Sequence, residues 1–198
     1  MGIFGEPPID SCDLVRELIR GLSEIVTLDS STDFWTSSVK EVLRKLGKKT
    51  NRAVAPDPDN PRDKVKGFLL DFLWWKDGES NDVVLAVESE WGKDKEIFHD
   101  FGKLLSIKAP LKVMIYGTSK HGMQSSPIRQ GIENSYMKRF TQHVVGEKYL
   151  LIEVDAPEKN VFAYEFLVLE NGRLEEVVFS EILVMPWSFA RVTPNSAV

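Results

Sequence analysis

Cysteine is almost absent from this chain. Cys12 stands alone among 198 residues, which excludes an internal disulfide and a cysteine-based zinc cluster and agrees with a reducing compartment. Histidine is scarce too, at three. Neither His99 nor His121 has metal-ligand spacing to another histidine or to the cysteine, so both are read as surface or structural residues. No apolar run approaches the roughly 20 residues of a membrane span, and the opening MGIFGEPPID lacks a basic region followed by a long apolar one. The expectation is a cytoplasmic protein with no membrane partner. A surplus of positive charge is also missing. The formal net charge of −5 argues against coating nucleic acid through bulk charge, without excluding local basic patches.

What is present is the material of an ordinary folded protein. Hydrophobic residues make up 42% and charged residues 28%, which argues against wholesale disorder. A chain of this length buries roughly 70% of its unfolded surface. No repeat, low-complexity segment or linker divides it, so residues 1–198 are read as one domain, with 1–10 and 188–198 as loose termini.

Apolar residues recur at Leu14, Leu18, Leu22 and Ile25, the spacing of a helix over residues 11–26. A second helix is expected over 34–46, with Trp35, Val39, Val42, Leu43 and Leu46 on one face and Gly47 as its stop. The proline- and aspartate-rich APDPDNPRD reads as a loop. KGFLLDFLWW and DVVLAVESEW, around the Asp-Gly turn of KDGESN, read as a hairpin. A third helix is expected over 95–108, then a strand, LKVMIYG, apolar enough to be buried on both faces. A fourth helix over 127–144 precedes three more strand-like runs. The expected architecture is α/β: a mixed central sheet flanked by helices.

The unusual feature is where the acids fall. Alternation along DVVLAVESEW puts Val84, Ala86, Glu88 and Glu90 on one face, the two glutamates roughly 6.6 Å apart along the strand. Asp71 is the one charged residue between Phe68 and Trp75 in the preceding strand. Acids at the end of a core strand require a partner, because an uncompensated buried carboxylate costs several kcal/mol or protonates. Three carboxylates converging at one spot suit a hard divalent cation such as Mg²⁺, with Mn²⁺ as a substitute, which takes oxygen ligands from carboxylates, waters and phosphates. The alternative is a structural network with nearby lysines.

On these residues, Asp71 followed by Glu88-Ser89-Glu90, the sequence resembles the PD-(D/E)XK nuclease superfamily. Its core runs helix, hairpin, strand, helix, strand, with an acid on one strand and acid-x-lysine on the next. The stretch AVESEWGKDKEIFHDFGKLL is most similar to type II restriction endonucleases of the BamHI and BglII group. The resemblance spans roughly residues 66–117. It implies a restriction-endonuclease-like fold and Mg²⁺-dependent hydrolysis of DNA phosphodiester bonds. By that resemblance Asp71 and Glu88 hold the metal, with Glu90 as a third ligand or as the group that positions or deprotonates the water. The chain departs from the pattern in having Leu70 before Asp71 and Glu90 at the usual lysine position. Lys103, on the following helix, is the candidate for the missing positive charge, against the plainer reading of a solvated lysine. Without a working lysine the alternative is a degenerate nuclease fold that binds nucleic acid or protein. A homodimer would suit duplex cleavage, though no self-complementary surface is legible.

Lys40, Arg44 and Lys48, at i, i+4 and i+8, form a candidate phosphate-facing stripe or a solvated face. Glu41, with Lys45 at i+4, and Glu17 and Glu24, off their helix's apolar stripe, make poor further ligands. Trp74, Trp75 and Trp91 are read as packing rather than base-stacking residues. The segment YGTSKHGMQSS contacts phosphates or is an ordinary loop.

Overall fold

A computed structural model describes residues 9–25, 32–57, 69–76, 82–117, 127–155, 160–177 and 183–184. The segments expected as loose termini lie outside them, apart from Ile9 and Asp10. Helix α1 (Ser11–Ile25) and helix α2 (Thr32–Lys49) pack against each other. Leu14, Leu18 and Leu22 are buried with Trp35, Val39, Leu43 and Leu46 in one core. At Gly21 the helices approach so closely that a Cβ would lie 2.6 Å from Val42 Cγ2.

Gly47 does not stop α2, as the sequence led us to expect; the helix continues to Lys49. The glycine is there for packing. A Cβ on it would lie 2.5 Å from Val54 Cγ1 and 2.7 Å from Trp74 Nε1, and the Trp74 indole donates to the Leu43 carbonyl at 3.1 Å. The chain reverses at Asn51, whose φ of 55° places it in the left-handed region. It then forms a strand just before the expected loop, β1 (Ala53–Ala55), too short to show periodicity.

Strand β2 (Phe72–Trp75) pairs antiparallel with β1 and with β3 (Val83–Glu90). This is the expected hairpin; its turn lies outside the described residues, and Leu69 and Leu70 precede the strand instead of belonging to it. Helix α3 (Asp94–Ser106) carries the chain to β4 (Leu111–Gly117), parallel to β3. The fourth helix is shorter than expected: α4 (Pro127–Gly131) passes into a π-helical turn (Ile132–Met137) and ends. His143 Nε2 lies 2.8 Å from the Met137 carbonyl oxygen, where it donates in place of the next helical turn. Strand β5 (Lys148–Asp155) follows, parallel to β4, then β6 (Asn160–Val168), β7 (Leu174–Val177) and β8 (Leu183–Val184), all antiparallel to their neighbours. The sheet order is β1-β2-β3-β4-β5-β6-β7, with β8 also on β6.

This is a mixed sheet flanked by helices. Phe72, Trp74, Leu85, Val87, Val113 and Ile115 pack towards α1 and α2; Leu73, Ala86, Met114 and Tyr116 pack with Ile97, Phe101 and Leu104 of α3. Strand β4 is therefore buried on both faces, as its composition implied. Lys112 is tolerated there at 2% exposure because Glu147 Oε1 lies 3.0 Å from its Nζ, and the Tyr149 hydroxyl donates to the other oxygen at 3.1 Å. Among the described residues no helix is long and apolar enough to cross a membrane.

Candidate functional site

The β2–β3 register decides how the acids meet. Phe72 is opposite Val87, so Asp71, one residue earlier, stands opposite Glu88 as the ladder ends. Its carboxylate then turns across β3. Oδ2 accepts hydrogen bonds from the Ser89 backbone N–H (3.0 Å) and hydroxyl (3.2 Å), and Oδ1 lies 2.9 Å from Lys40 Nζ of α2. Burial works to raise the Asp71 pKa, but the Lys40 ammonium and the Ser89 hydrogen bonds outweigh it, and the carboxyl is held below its ordinary value.

Glu88 extends towards the opposite helix layer. It is 1% exposed, and Lys103 Nζ of α3 lies 2.6 Å from its Oε1 and 2.8 Å from Asp100 Oδ1. The Lys103 ammonium thus engages the buried Oε1 of Glu88 directly and bridges it to Asp100. Burial pushes the Glu88 pKa up to about 8; Lys103 opposes the shift, and the charges of Asp71 and Asp100 add to it. The Lys103 pKa is raised: burial would lower it, but Asp100 and Glu88 prevail.

Glu90 turns back on its own chain, accepting from the Gly92 N–H at 2.6 Å. Its pKa is raised by burial and by the nearby Asp100 carboxylate, against the Gly92 hydrogen bond. The sheet carries this row onward, since Glu90 is in register with Tyr116 and Tyr116 with Glu153. The buried Tyr116 hydroxyl donates to Glu153 Oε2 at 3.3 Å.

The structure thus brings Glu88 and Lys103 into contact and sets Asp71 beside them. It does not gather Asp71, Glu88 and Glu90 into one cluster: among the described residues no three His, Cys, Asp or Glu side chains converge as around a metal ion. The physical reason is visible in the ion pairs. Lysines from the two helix layers, Lys40 from one side of the sheet and Lys103 from the other, each neutralise one acid. The donor chemistry nonetheless fits a hard cation, since the Asp71 and Glu88 carboxyls stand opposite each other where the β2–β3 ladder ends.

The basic stripe of α2 is also accounted for by acids. Lys40 meets Asp71, Arg44 meets Glu41, and Lys48 lies 3.2 Å from Asp57. Trp74 is fully buried, and half-buried Trp91 packs against Trp35, ring centroids 4.7 Å apart and tilted by 36°, and covers Gly117. His99 is exposed, while His121 and the segment after Gly117 lie outside the described residues. Sequence reasoning missed the pairing of Lys40 with Asp71, the position of Asp100 between Lys103 and Glu90, and the Tyr116–Glu153 contact. Only Asp100 had a legible signal, its i, i+3 spacing to Lys103. Compared with protein-family models, curated proteins and solved structures, the chain matches none.

Proposed function

We propose that this chain is a metal-dependent nuclease of restriction-endonuclease-like fold that hydrolyses DNA phosphodiester bonds. The observation that carries the reading is Glu88: a carboxyl 1% exposed at the end of a core strand, with its pKa pushed up to about 8 and another acid opposite. Carboxyls shifted this far by burial cluster at sites that bind a charge or move a proton, as well as in structural ion-pair networks. The order α2, antiparallel β1-β2-β3, α3, parallel β4 supports it, since it contains the helix, hairpin, strand, helix, strand order expected from the resemblance.

In this reading Asp71 and Glu88 hold Mg²⁺. The ion, when bound, stabilises charge on the phosphate and lowers the pKa of a water. Glu90, whose raised pKa suits it to carry a proton, positions or deprotonates that water. Lys103 orients Glu88 and presents positive charge to the phosphate, and Asp100 orients Lys103 in turn. A second reading, a degenerate nuclease-fold module that binds nucleic acid or protein, is favoured by one observation, that each of the two central acids already has its own lysine. Incubation of duplex DNA with Mg²⁺ separates them. The nuclease cleaves, and Glu88→Gln lowers the rate at least about a hundredfold, as loss of other preorganised transition-state stabilisers does. Equal behaviour of both proteins supports the module.

A further inference from the structure

The sequence offered Lys40, Arg44 and Lys48 as a phosphate-facing stripe or a solvated face, and Lys40 and Lys48 are tied to acids of other segments, Asp71 and Asp57. A different cationic surface lies where α1 crosses α2. There a cleft of about 280 Å³ is lined by Arg20 and Gly21 of α1 and Lys45 and Lys49 of α2, with Val42 and Leu46 below and Glu17 at its side. At its base the two helices meet, with Gly21 packed directly against Val42. The lining carries three cations against one acid, in a chain whose formal net charge is −5.

We infer that this cleft between α1 and α2 binds the phosphate backbone of nucleic acid, through Arg20, Lys45 and Lys49. The inference takes its partner from the nuclease reading, but its geometry is independent of the acid site. Lys45 and Arg20 have 70% and 65% of their side chains exposed, and their partners Glu41 and Glu17 lie on the same helices as themselves. Exposed pairs of this kind are worth little, so phosphates exchange with them readily. A deep single-ion site would enclose its cations; an open cleft with exposed cations suits a polyanion that gains affinity by releasing counterions. Lys49 lies nine residues beyond Lys40, about 14 Å along α2 at 1.5 Å per residue. Lys49 also lies half a turn round the helix from Lys40, so the cleft faces away from the acid site and would contact nucleic acid independently of it.

The test is fluorescence anisotropy of a labelled DNA duplex in EDTA across a salt series, so that no metal-dependent step enters. The triple variant R20Q/K45Q/K49Q should bind at least about tenfold more weakly at 0.1 M salt, and its log K against log salt should be shallower by about 2 to 3. The triple variant K40Q/R44Q/K48Q should lose less. Glu17→Gln, which removes the cleft's one acid, should tighten binding by about twofold or more, a gain that misfolding does not produce. No binding by the wild type, equal loss in the two triple variants, or weaker binding by Glu17→Gln would overturn the inference. Failure of the wild type to cleave DNA with Mg²⁺ would instead sink the nuclease reading and leave this result standing.

Discussion

Lys103 Nζ, in the last turn of α3, lies 2.6 Å from Oε1 of Glu88, and this contact ties a helix on one face of the sheet to the end of its central parallel pair. It replaces the expected picture of acids waiting for a metal with one in which an ammonium holds the leading acid. Removing the lysine should therefore have a pH-dependent cost. At pH 6, below the Glu88 pKa of about 8, Lys103→Met should destabilise the fold by about 1 kcal/mol. At pH 9 it should cost about 3 kcal/mol, because Lys103 lowers the Glu88 pKa and without it the buried glutamate must either stay protonated or ionise unpaired. Chemical denaturation at both pH values measures the difference.

Glu88 itself makes stability fall as pH rises. Its folded pKa lies above the ordinary carboxyl value, so between about pH 4.5 and 8 the folded state binds more protons than the unfolded one and stability declines. Across that window the wild type should lose stability relative to Glu88→Gln, which lacks the titrating group. Parallel pH profiles for the two proteins would mean that Glu88 ionises at its ordinary pKa.

Asp71 should behave in the opposite sense. Its depressed pKa means that its contribution is present above the ordinary aspartate range and is lost as pH falls through the folded value. Asp71→Asn should cost about 1–2 kcal/mol at pH 7 through the lost charge on Lys40 and Ser89, and the difference from wild type should shrink towards pH 3. Denaturant midpoints over that range supply the check.

Gly47 provides a test of the packing between α2 and the sheet. Helix propensity alone predicts that Gly47→Ala stabilises by about 1 kcal/mol. The Cβ would instead press on Val54 and on the Trp74 indole, which is fixed by its bond to Leu43, so a net loss of about 1–3 kcal/mol is expected. A rise in melting temperature would contradict this placement of Trp74.

Much of the framework was legible in the sequence because period and burial agree there. The apolar stripes of α1 and α3 and the continuous apolar run of β4 each admit one reading. β1 was hidden because three residues carry no period, and the end of the fourth helix because His143, six residues away, takes the place of its next turn. Glu88 and Asp71 were visible as acids on strand-like segments. Their lysine partners were not, because Lys40 reaches Asp71 across a sheet order that spacing does not encode. Lys112 in β4 is buried for the same kind of reason, its partner Glu147 lying just before another strand.

The central claim is that Asp71 and Glu88 hold a divalent cation in exchange for their lysines, and a Mn²⁺ titration at pH 8 followed by electron paramagnetic resonance tests it most directly. The wild type should bind Mn²⁺ competitively with Mg²⁺, Glu88→Gln should bind at least about tenfold more weakly, and added Mg²⁺ should raise the melting temperature of the wild type alone. Absence of Mn²⁺ binding, or equal binding by wild type and Glu88→Gln, would contradict the account and leave the Lys103–Glu88 contact as a structural ion pair.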